Sequence, residues 1–134
     1  MNDFVGDEDE EEEEQVVEQI LPTIDCLIFA YTNTAEGKLN TILLATLVDR
    51  KLKDVATVYA VDIPLEDREK LVSRLHKLER GRSFVKTKRK GIWLKPVLMC
   101  RVAYKEWTRA KKLREPHFRA ILADVEMGKS KPSR

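Results

Sequence analysis

The side chains of this sequence best suited to chemistry are cations, and they form three groups in its C-terminal half. One group lies in "VKTKRKG", a second is spread through "KPVLMCRVAYK", and a third fills "WTRAKKLR" beside a tryptophan. Lysine and arginine bind phosphate groups, and such contacts give affinity without sequence preference. The candidate binding residues are Lys86, Lys88, Arg89, Lys90, Lys95, Arg101, Lys105, Trp107, Arg109, Lys111, Lys112 and Arg114.

Several of these residues also have a purely structural interpretation. Trp107 either supports the adjacent turn or packs against a sugar or base, and Arg114 either binds turn carbonyls or a phosphate. The Lys86 to Lys90 stretch is either a solvated loop or a set of phosphate contacts. Trp93, next to an apolar strand, is interpreted as structural, and His117 as partly exposed and inert.

The charges are segregated along the chain. The whole sequence has 25 basic and 23 acidic residues, a net charge of +2. Ten of the acids lie in residues 1–20, which hold no lysine or arginine, so residues 21–134 have 25 bases against 13 acids, a net charge of +12. Such an excess attracts polyanions, and nucleic acid is the usual one.

The ends of the chain are predicted to be tails. Residues 1–20 cannot bury enough apolar surface to offset their ordering entropy, which predicts a disordered acidic tail. It serves solubility, docks on the chain's own basic face in competition with nucleic acid, or binds a basic protein. Residues 128–134 are predicted to be a disordered basic tail, leaving residues 21–127 as one domain.

Composition argues against several classes of protein. Cys26 and Cys100 lie in apolar stretches without a CxxC pair, which predicts buried reduced thiols. His76 and His117 have no ligand spacing with them, so we expect no metal and no cofactor. No apolar run reaches about 18 residues and no signal peptide is evident, so we expect no membrane association. The expected location is the cytoplasm, in association with the nucleoid, or the nucleus if the organism is a eukaryote.

Three strands and a helix are predicted before the cationic groups. "TIDCLIFAYTNT", "TILLATLVD" and "VATVYAV" have strand composition, the second is apolar on both faces and therefore central, and "RKLKD" is predicted to be a turn. "DIPLEDREKLVSRLHKLERG" has helical period, with Pro64 in the first turn and Gly81 at the end. Its predicted buried face is Leu65, Leu71, Val72, Leu75 and Leu78.

Beyond the helix, "RGRSFVKTKRKG" is predicted to be an exposed basic loop, and "TRAKKLREP" a basic turn between two strands. The first of these strands is expected to alternate, with one face made by Leu98, Cys100, Val102 and Tyr104 and the other by Met99, Arg101, Ala103 and Lys105. In the last strand, "HFRAILADVEM", we expect Ile121, Ala123 and Val125 opposite Phe118, Ala120 and Leu122.

This element order predicts the fold. The β-β-β-α-β-β sequence is that of a mainly β protein with one helix, a five-stranded OB-fold Greek-key barrel whose helix lies between the third and fourth strands.

The segment "WLKPVLMCRVAYKEWTRAKKLREPHFRAILADV" resembles the C-terminal OB domain of ATP-dependent DNA ligases, particularly the bacterial end-joining type. The resemblance covers about residues 23–126 and is strongest in the final third. The matching residues are Trp93, Pro96, Val102, Glu106, Trp107, Thr108, Arg114, Pro116 and Phe118. It implies a domain that binds across the minor-groove face of a nicked duplex and swings onto a nucleotidyltransferase domain.

Two departures from the family limit what the resemblance implies. The sequence contains no Lys-x-Asp-Gly motif, whose lysine must attack the α-phosphate to begin adenylate chemistry. The family's Gly-Leu-Arg-x-Asp-Lys strand falls on residues 120–125, where Leu122 replaces the arginine, Val125 replaces the lysine and Asp124 is retained. Contacts with pyrophosphate are lost at the two replaced positions, so no catalytic residue is assigned and the chain alone is not expected to ligate.

Three functions stay open at this point. The first is an OB module that binds DNA non-specifically in repair or end joining, with nicked or double-stranded DNA favoured over single strands. The second is an accessory subunit of a split ligase acting with a separate nucleotidyltransferase, against which Leu122 and Val125 count. The third is a protein-interaction adaptor that uses its acidic tail.

Overall fold

The computed structural model describes residues 21–122. Its elements are β1 (Thr23–Asn33), β2 (Leu39–Val48), β3 (Lys51–Tyr59), helix α1 (Leu65–Leu75), β4 (Ile92–Trp93), β5 (Met99–Ala103), β6 (Glu106–Trp107), β7 (Leu113–Arg114) and β8 (His117–Ile121). Short 3-10 turns precede and follow the helix at Ala60–Asp62 and His76–Leu78. The two predicted tails and the end of the last predicted strand, residues 123–127, lie outside the described residues.

The strands form one antiparallel sheet in the order β3-β2-β1-β5-β8, with β4 also paired to β1 and with β6 and β7 as a separate hairpin. The mainly β class with one helix is confirmed, and the arrangement is that of an OB fold. The sheet does not close into a complete barrel, because β3 and β8 do not pair within residues 21–122. The edge of β3 is instead met by Lys86, which bridges Lys53, and by Lys112, which binds the Asp54 carbonyl.

The β2–β3 turn is shorter than the sequence predicted. Asp49 and Arg50 both have positive φ, 52° and 70°, as in the tight two-residue turns whose twist matches a hairpin. Because these two residues complete the turn, β3 resumes at Lys51, and Leu52, Lys53 and Asp54 pair with β2. The prediction of a turn over "RKLKD" is therefore wrong for its last four residues.

Helix α1 is confirmed, but its predicted end and part of its predicted face are wrong. The regular helix stops at Leu75 and one 3-10 turn continues to Leu78, short of Gly81. Leu71, Leu75 and Leu78 are buried, whereas Leu65 is 62% and Val72 38% exposed. Positions 71, 75 and 78 form one stripe at 3.6 residues per turn, and the other two lie well off it. Within residues 21–122, no helix is both long enough and apolar enough to cross a membrane.

The sheet carries apolar side chains on both faces, which confirms that β2 is central. Ile28 and Leu44 face the main core with the helix leucines, while Leu43, Ala45 and Phe29 belong to a second buried layer. This layer is covered by residues 82–91, here named the basic strap, through Val85 and Phe84. The interpretation of this stretch as an exposed loop is therefore wrong in part, because Val85 is buried and Phe84 is partly buried against the sheet.

The strands β5 and β8 place the C-terminal half of the fold. Cys100 and Val102 are fully buried and Arg101 is exposed, as the alternation predicted, although Ala103 is buried as well. An irregularity in the pairing opposite Arg101 and Val102 leaves Arg119 as the extra residue of β8. Such a bulge reverses the side-chain phase, so Phe118 and Ile121 both pack on the main core and their predicted opposition is wrong.

The two cysteines are free and buried, as predicted. They face each other across β1 and β5. Burial, with a smaller contribution from the nearby Asp25 carboxylate, raises the pKa of the Cys26 thiol to about 12, and burial likewise raises the pKa of Cys100. Both thiols are therefore protonated and unreactive at neutral pH.

A polar cluster closes the core near the end of α1. The Tyr31 hydroxyl donates a hydrogen bond to the Glu79 carboxylate at 2.5 Å, and His76 Nδ1 lies 3.2 Å from the same oxygen. Burial first, and then the hydrogen bond with Glu79, raise the pKa of Tyr31 to about 12. The same hydrogen bond, followed by that with His76, lowers the pKa of Glu79.

Candidate nucleic-acid interface

A cleft of about 400 Å³ lies between β3, the basic strap and the turn of the β6–β7 hairpin. Cations from three parts of the chain line it: Lys53 from β3, Lys86, Lys88 and Arg89 from the strap, and Lys112 from the hairpin turn. A parallel bridge between Lys53 and Lys86 aligns the strap with the strand. Two of the three cationic groups of the sequence therefore meet at one place.

Side-chain burial alternates along the strap where it passes β3, to which it is joined by the single bridge between Lys53 and Lys86. Val85 is 3% exposed in the second layer, Arg89 is half-buried, and Lys86, Lys88 and Lys90 are exposed. The apolar residue and the arginine thus face the sheet, and the three lysines face solvent. The three ammonium groups are consequently available to a bound anion.

The other end of the strap fits closely onto β1. A Cβ at Gly91 would lie 3.2 Å from the Tyr31 carbonyl oxygen and 3.3 Å from the Ala30 Cβ. These separations are tighter than ordinary van der Waals contacts, so the absence of a side chain at Gly91 allows the strap to approach the sheet. The strap is thereby held at Val85 and at Gly91, on either side of its lysines.

Asp54 lies at the bottom of the cleft and is only 4% exposed. Its carboxylate accepts two bonds from Arg89, one from Nε at 2.7 Å and one from Nη2, and a third from the Thr87 hydroxyl at 2.9 Å. Lys112 Nζ donates to the Asp54 carbonyl oxygen at 2.9 Å and lies 3.9 Å from the carboxylate. One buried acid thus contacts both the strap and the hairpin.

The β6–β7 hairpin presents its cations on a tight turn. Thr108 N donates to the Lys112 carbonyl at 2.7 Å, and Lys111 takes a positive φ of 66°. Across the two strands Arg114 Nε binds the Glu106 carboxylate at 3.0 Å. Trp107 is 37% exposed, and its ring centroid lies 5.9 Å from that of Tyr104 in a T-shaped arrangement. The tryptophan therefore has one side against the protein and one side in solvent.

The cations of β5 lie in a different setting. Arg101 sits directly opposite Asp25 on β1 and donates to its carboxylate at 2.7 Å from Nε and at 3.3 Å from Nη2. The hydrogen bond from Arg101 lowers the pKa of Asp25, and the same contact raises the pKa of the guanidinium. Lys105 Nζ lies 4.0 Å from the Glu115 carboxylate. These two cations are shared with acids of the protein.

The structure therefore distributes the twelve candidate residues over distinct surroundings. Lys86, Lys88, Arg89 and Lys112 line the cleft, while Arg101, Lys105 and Arg114 lie beside carboxylates. Lys95 does not line the cleft, and its backbone N–H donates to the carbonyl of Leu78 after the helix. Lys90, Arg109 and Lys111 are exposed. Phosphate binding by any of the twelve stays a prediction.

Sequence reasoning missed Lys53, Asp54 and Thr87 as parts of this site. Lys53 and Asp54 were placed in a turn, where a charged pair needs no explanation. The available signal was an acid directly before the apolar run "VATVYAV", because a charge that enters a buried strand requires a partner. Among residues 21–122, no group of three or more His, Cys, Asp and Glu side chains has the arrangement of a metal site.

The family model described as "ATP dependent DNA ligase C terminal region" matches residues 35–125, about two thirds of the chain. The chain belongs to this family. Membership of the DNA ligase C-terminal family confirms the resemblance that the "WLKPVLMC…" segment carries, and it agrees with the open OB-type sheet.

Two solved structures share the fold of this DNA ligase C-terminal domain. One is a mycobacterial DNA ligase D complexed with ATP and MES, with 22% identity over 78% of this chain and a TM-score of 0.64. The other is the ligase domain from M. tuberculosis LigD, with 20% identity over 75% of this chain and a TM-score of 0.66. The match covers 35% of each of those chains. No curated protein matches this chain.

Proposed function

We propose that this chain is a DNA-binding module with a DNA ligase-like role, which holds nicked or double-stranded DNA without sequence preference and performs no ligation chemistry by itself. The observation that supports the proposal is the cleft at β3, where lysines from β3, the strap and the hairpin surround one open space. Family membership supports a role in repair or end joining. The place of action that fits such a role is the nucleoid or the nucleus.

The type of cation in the cleft favours a phosphate backbone as the ligand. Lys53, Lys86, Lys88 and Lys112 carry compact charges on flexible stems, which contact phosphate oxygens without the fixed fork geometry that arginine uses to read guanine. Phosphate contacts determine position and affinity but not sequence. Each neutralised phosphate releases condensed counterions, so binding should weaken steeply as salt rises.

The proposal that the module is non-catalytic has two supports in the sequence. The 134 residues contain no Lys-x-Asp-Gly motif, and at the family's basic-pair positions stand Leu122 and Val125. Without a lysine that can form the adenylate, the nucleotidyl-transfer step has no nucleophile in this chain.

Fluorescence anisotropy with labelled nicked duplex, intact duplex and single strand, each titrated across salt concentration, tests the proposal. We expect binding at low salt, and we expect Lys88→Gln and Lys112→Gln each to weaken it and to reduce the salt slope by about one. Lys77→Gln, at an exposed lysine beside helix α1 on the other face of the sheet, is the matched control and should change neither quantity.

Two results would contradict the proposal. One is the absence of binding to all three DNA forms at low salt. The other is an equal loss of affinity in Lys77→Gln and in the cleft variants, since this would indicate a diffuse charge effect instead of a defined binding face.

A further inference from the structure

We propose that Asp54 is a positioning residue for the DNA-binding face and that Arg89, although a cation of that face, serves the same purpose and does not bind phosphate. The inference rests on the proposed function and adds how the lysines of the DNA-binding face are held in place. Asp54 holds the strap through its buried carboxylate and the hairpin through its backbone carbonyl oxygen, so that the exposed lysines of both can follow one phosphate backbone.

The hydrogen bonds of Arg89 support this role. A guanidinium has five N–H donors, and four of them are directed at the protein. Nε and one Nη2 hydrogen bind Asp54, the other Nη2 hydrogen binds the Ala56 carbonyl at 3.1 Å, and Nη1 binds the Thr57 hydroxyl. One donor is left for an external ligand. Arg89 is therefore engaged along three residues of β3, in the bidentate geometry that gives the strongest and most directional contact with a carboxylate.

The contacts of Asp54 extend the argument to the hairpin. Its carboxylate fixes Thr87 and Arg89 of the strap, and its carbonyl oxygen accepts from Lys112 of the hairpin turn. Lys86 and Lys88, which flank the inward-facing Thr87, are exposed. A single strand position thus determines where three lysines, from two elements distant in sequence, lie relative to one another.

The inference makes a prediction whose sign is opposite to that of simple electrostatics. Removing a negative charge beside a polyanion site should tighten binding if charge alone matters. If Asp54 positions the strap, removing its charge should weaken binding, because the half-buried arginine loses its partner and the strap loses its attachment. The two views therefore differ in direction and not only in size.

The experiment compares full-length Asp54→Asn with full-length Asp62→Asn, an exposed aspartate in the 3-10 turn before the helix, by anisotropy on nicked duplex. We expect Asp54→Asn to weaken binding by about tenfold and Asp62→Asn to leave it unchanged or slightly tighter. Arg89→Lys keeps the charge but cannot bind the carboxylate through two donors, and we expect a similar weakening. The double variant should be no worse than either single variant, because both remove one contact.

Amide hydrogen exchange provides a readout that DNA binding does not affect. In free Asp54→Asn and Arg89→Lys we expect faster exchange at Val85 and Arg89, whose amides donate within the strap, and unchanged exchange in β1 and β2. If Asp54→Asn does not fold, Arg89→Lys alone decides the question, since it leaves Asp54 in place.

Each outcome has a distinct meaning. If the wild-type protein does not bind DNA, the proposed function and this inference both fail. If Lys88→Gln weakens binding while Asp54→Asn and Arg89→Lys bind as well as or better than the wild type, the proposed function stands and the inference is wrong. Weakening in both Asp54→Asn and Arg89→Lys, with Asp62→Asn unaffected, supports the inference.

Discussion

Tyr31 is a buried residue whose ionisation should be visible in the stability of the fold. Its folded-state pKa is raised to about 12, from an ordinary value near 10. A raised pKa means that the folded protein holds the phenolic proton more tightly than the unfolded chain does. The stabilisation is thus complete below about pH 10 and is lost as the pH rises towards 12.

The variant Tyr31→Phe tests this pH dependence of the stability. At pH 7 we expect it to lower the free energy of unfolding by about 1 kcal/mol, because the hydrogen bond to Glu79 is lost. The difference between the variant and the wild type should shrink between pH 10 and pH 12, as urea denaturation at a series of pH values would measure. Tyr59→Phe, at a 54% exposed tyrosine, is the control. A difference that stays constant through pH 12 would contradict the raised pKa.

Some contacts of the cleft residues follow from the sequence, and others do not. Lys86, Lys88 and Lys90 were predictable as a group because consecutive residues stay neighbours in any fold. The bonds between Asp54 and Arg89 join positions 35 apart, and that from Lys112 to Asp54 joins positions 58 apart. Such pairings depend on which strand meets which loop, and neither residue type nor spacing reveals them.

The positive φ of Arg50 in the β2–β3 turn should be visible in the stability of the fold. Arg50 has a φ of 70°, where an L side chain crowds the backbone and glycine does not. We expect Arg50→Gly to raise the free energy of unfolding by about 0.5–1 kcal/mol, measured by chemical denaturation. Lys51→Gly, one residue further on in β3, should instead lower it, since glycine weakens a strand. A lower free energy of unfolding in Arg50→Gly would contradict the positive φ of this turn residue.

Elements with a clear period were predictable, and their junctions were not. The stripe of Leu71, Leu75 and Leu78 and the doubly apolar β2 follow from spacing alone. The strap was misinterpreted because Phe84 and Val85 are only two apolar residues among many charges. Nothing in the local sequence indicates that they pack on a second apolar layer of the sheet. The bulge at Arg119 likewise has no local signal, so the side-chain phase of β8 was predicted wrongly.

At the scale of the whole molecule the net charge is small only because two strongly charged parts cancel. Deleting residues 1–20 removes ten acids and no base, and we expect it to tighten binding to nicked duplex severalfold at low salt. The gain should shrink at high salt, because the screening length falls from about 10 Å at 0.1 M to about 3 Å at 1 M. Salt-titrated anisotropy measures both effects.

A chain in which the ten acids are replaced by their amides keeps the length of the segment and separates charge from bulk. This control should bind DNA as tightly as the deletion. Equal affinity of the wild type, the deletion and the amide variant would exclude competition between the acidic segment and DNA.

The pairing of β1 has a consequence for how the chain acquires its fold. One edge of β1 meets β2 across a five-residue loop, and the other meets β5, where Arg101 faces Asp25 from 76 positions further along. During synthesis the first three strands emerge together and can pair rapidly, because they are close in sequence. On the second edge of β1, β4 pairs with Ala30 and Tyr31, but the part from Thr23 to Leu27 has no strand beside it until the ribosome has passed Ala103. In that interval a nascent chain offers an open apolar strand to its neighbours, which makes β5 the element that protects the newborn protein from aggregation.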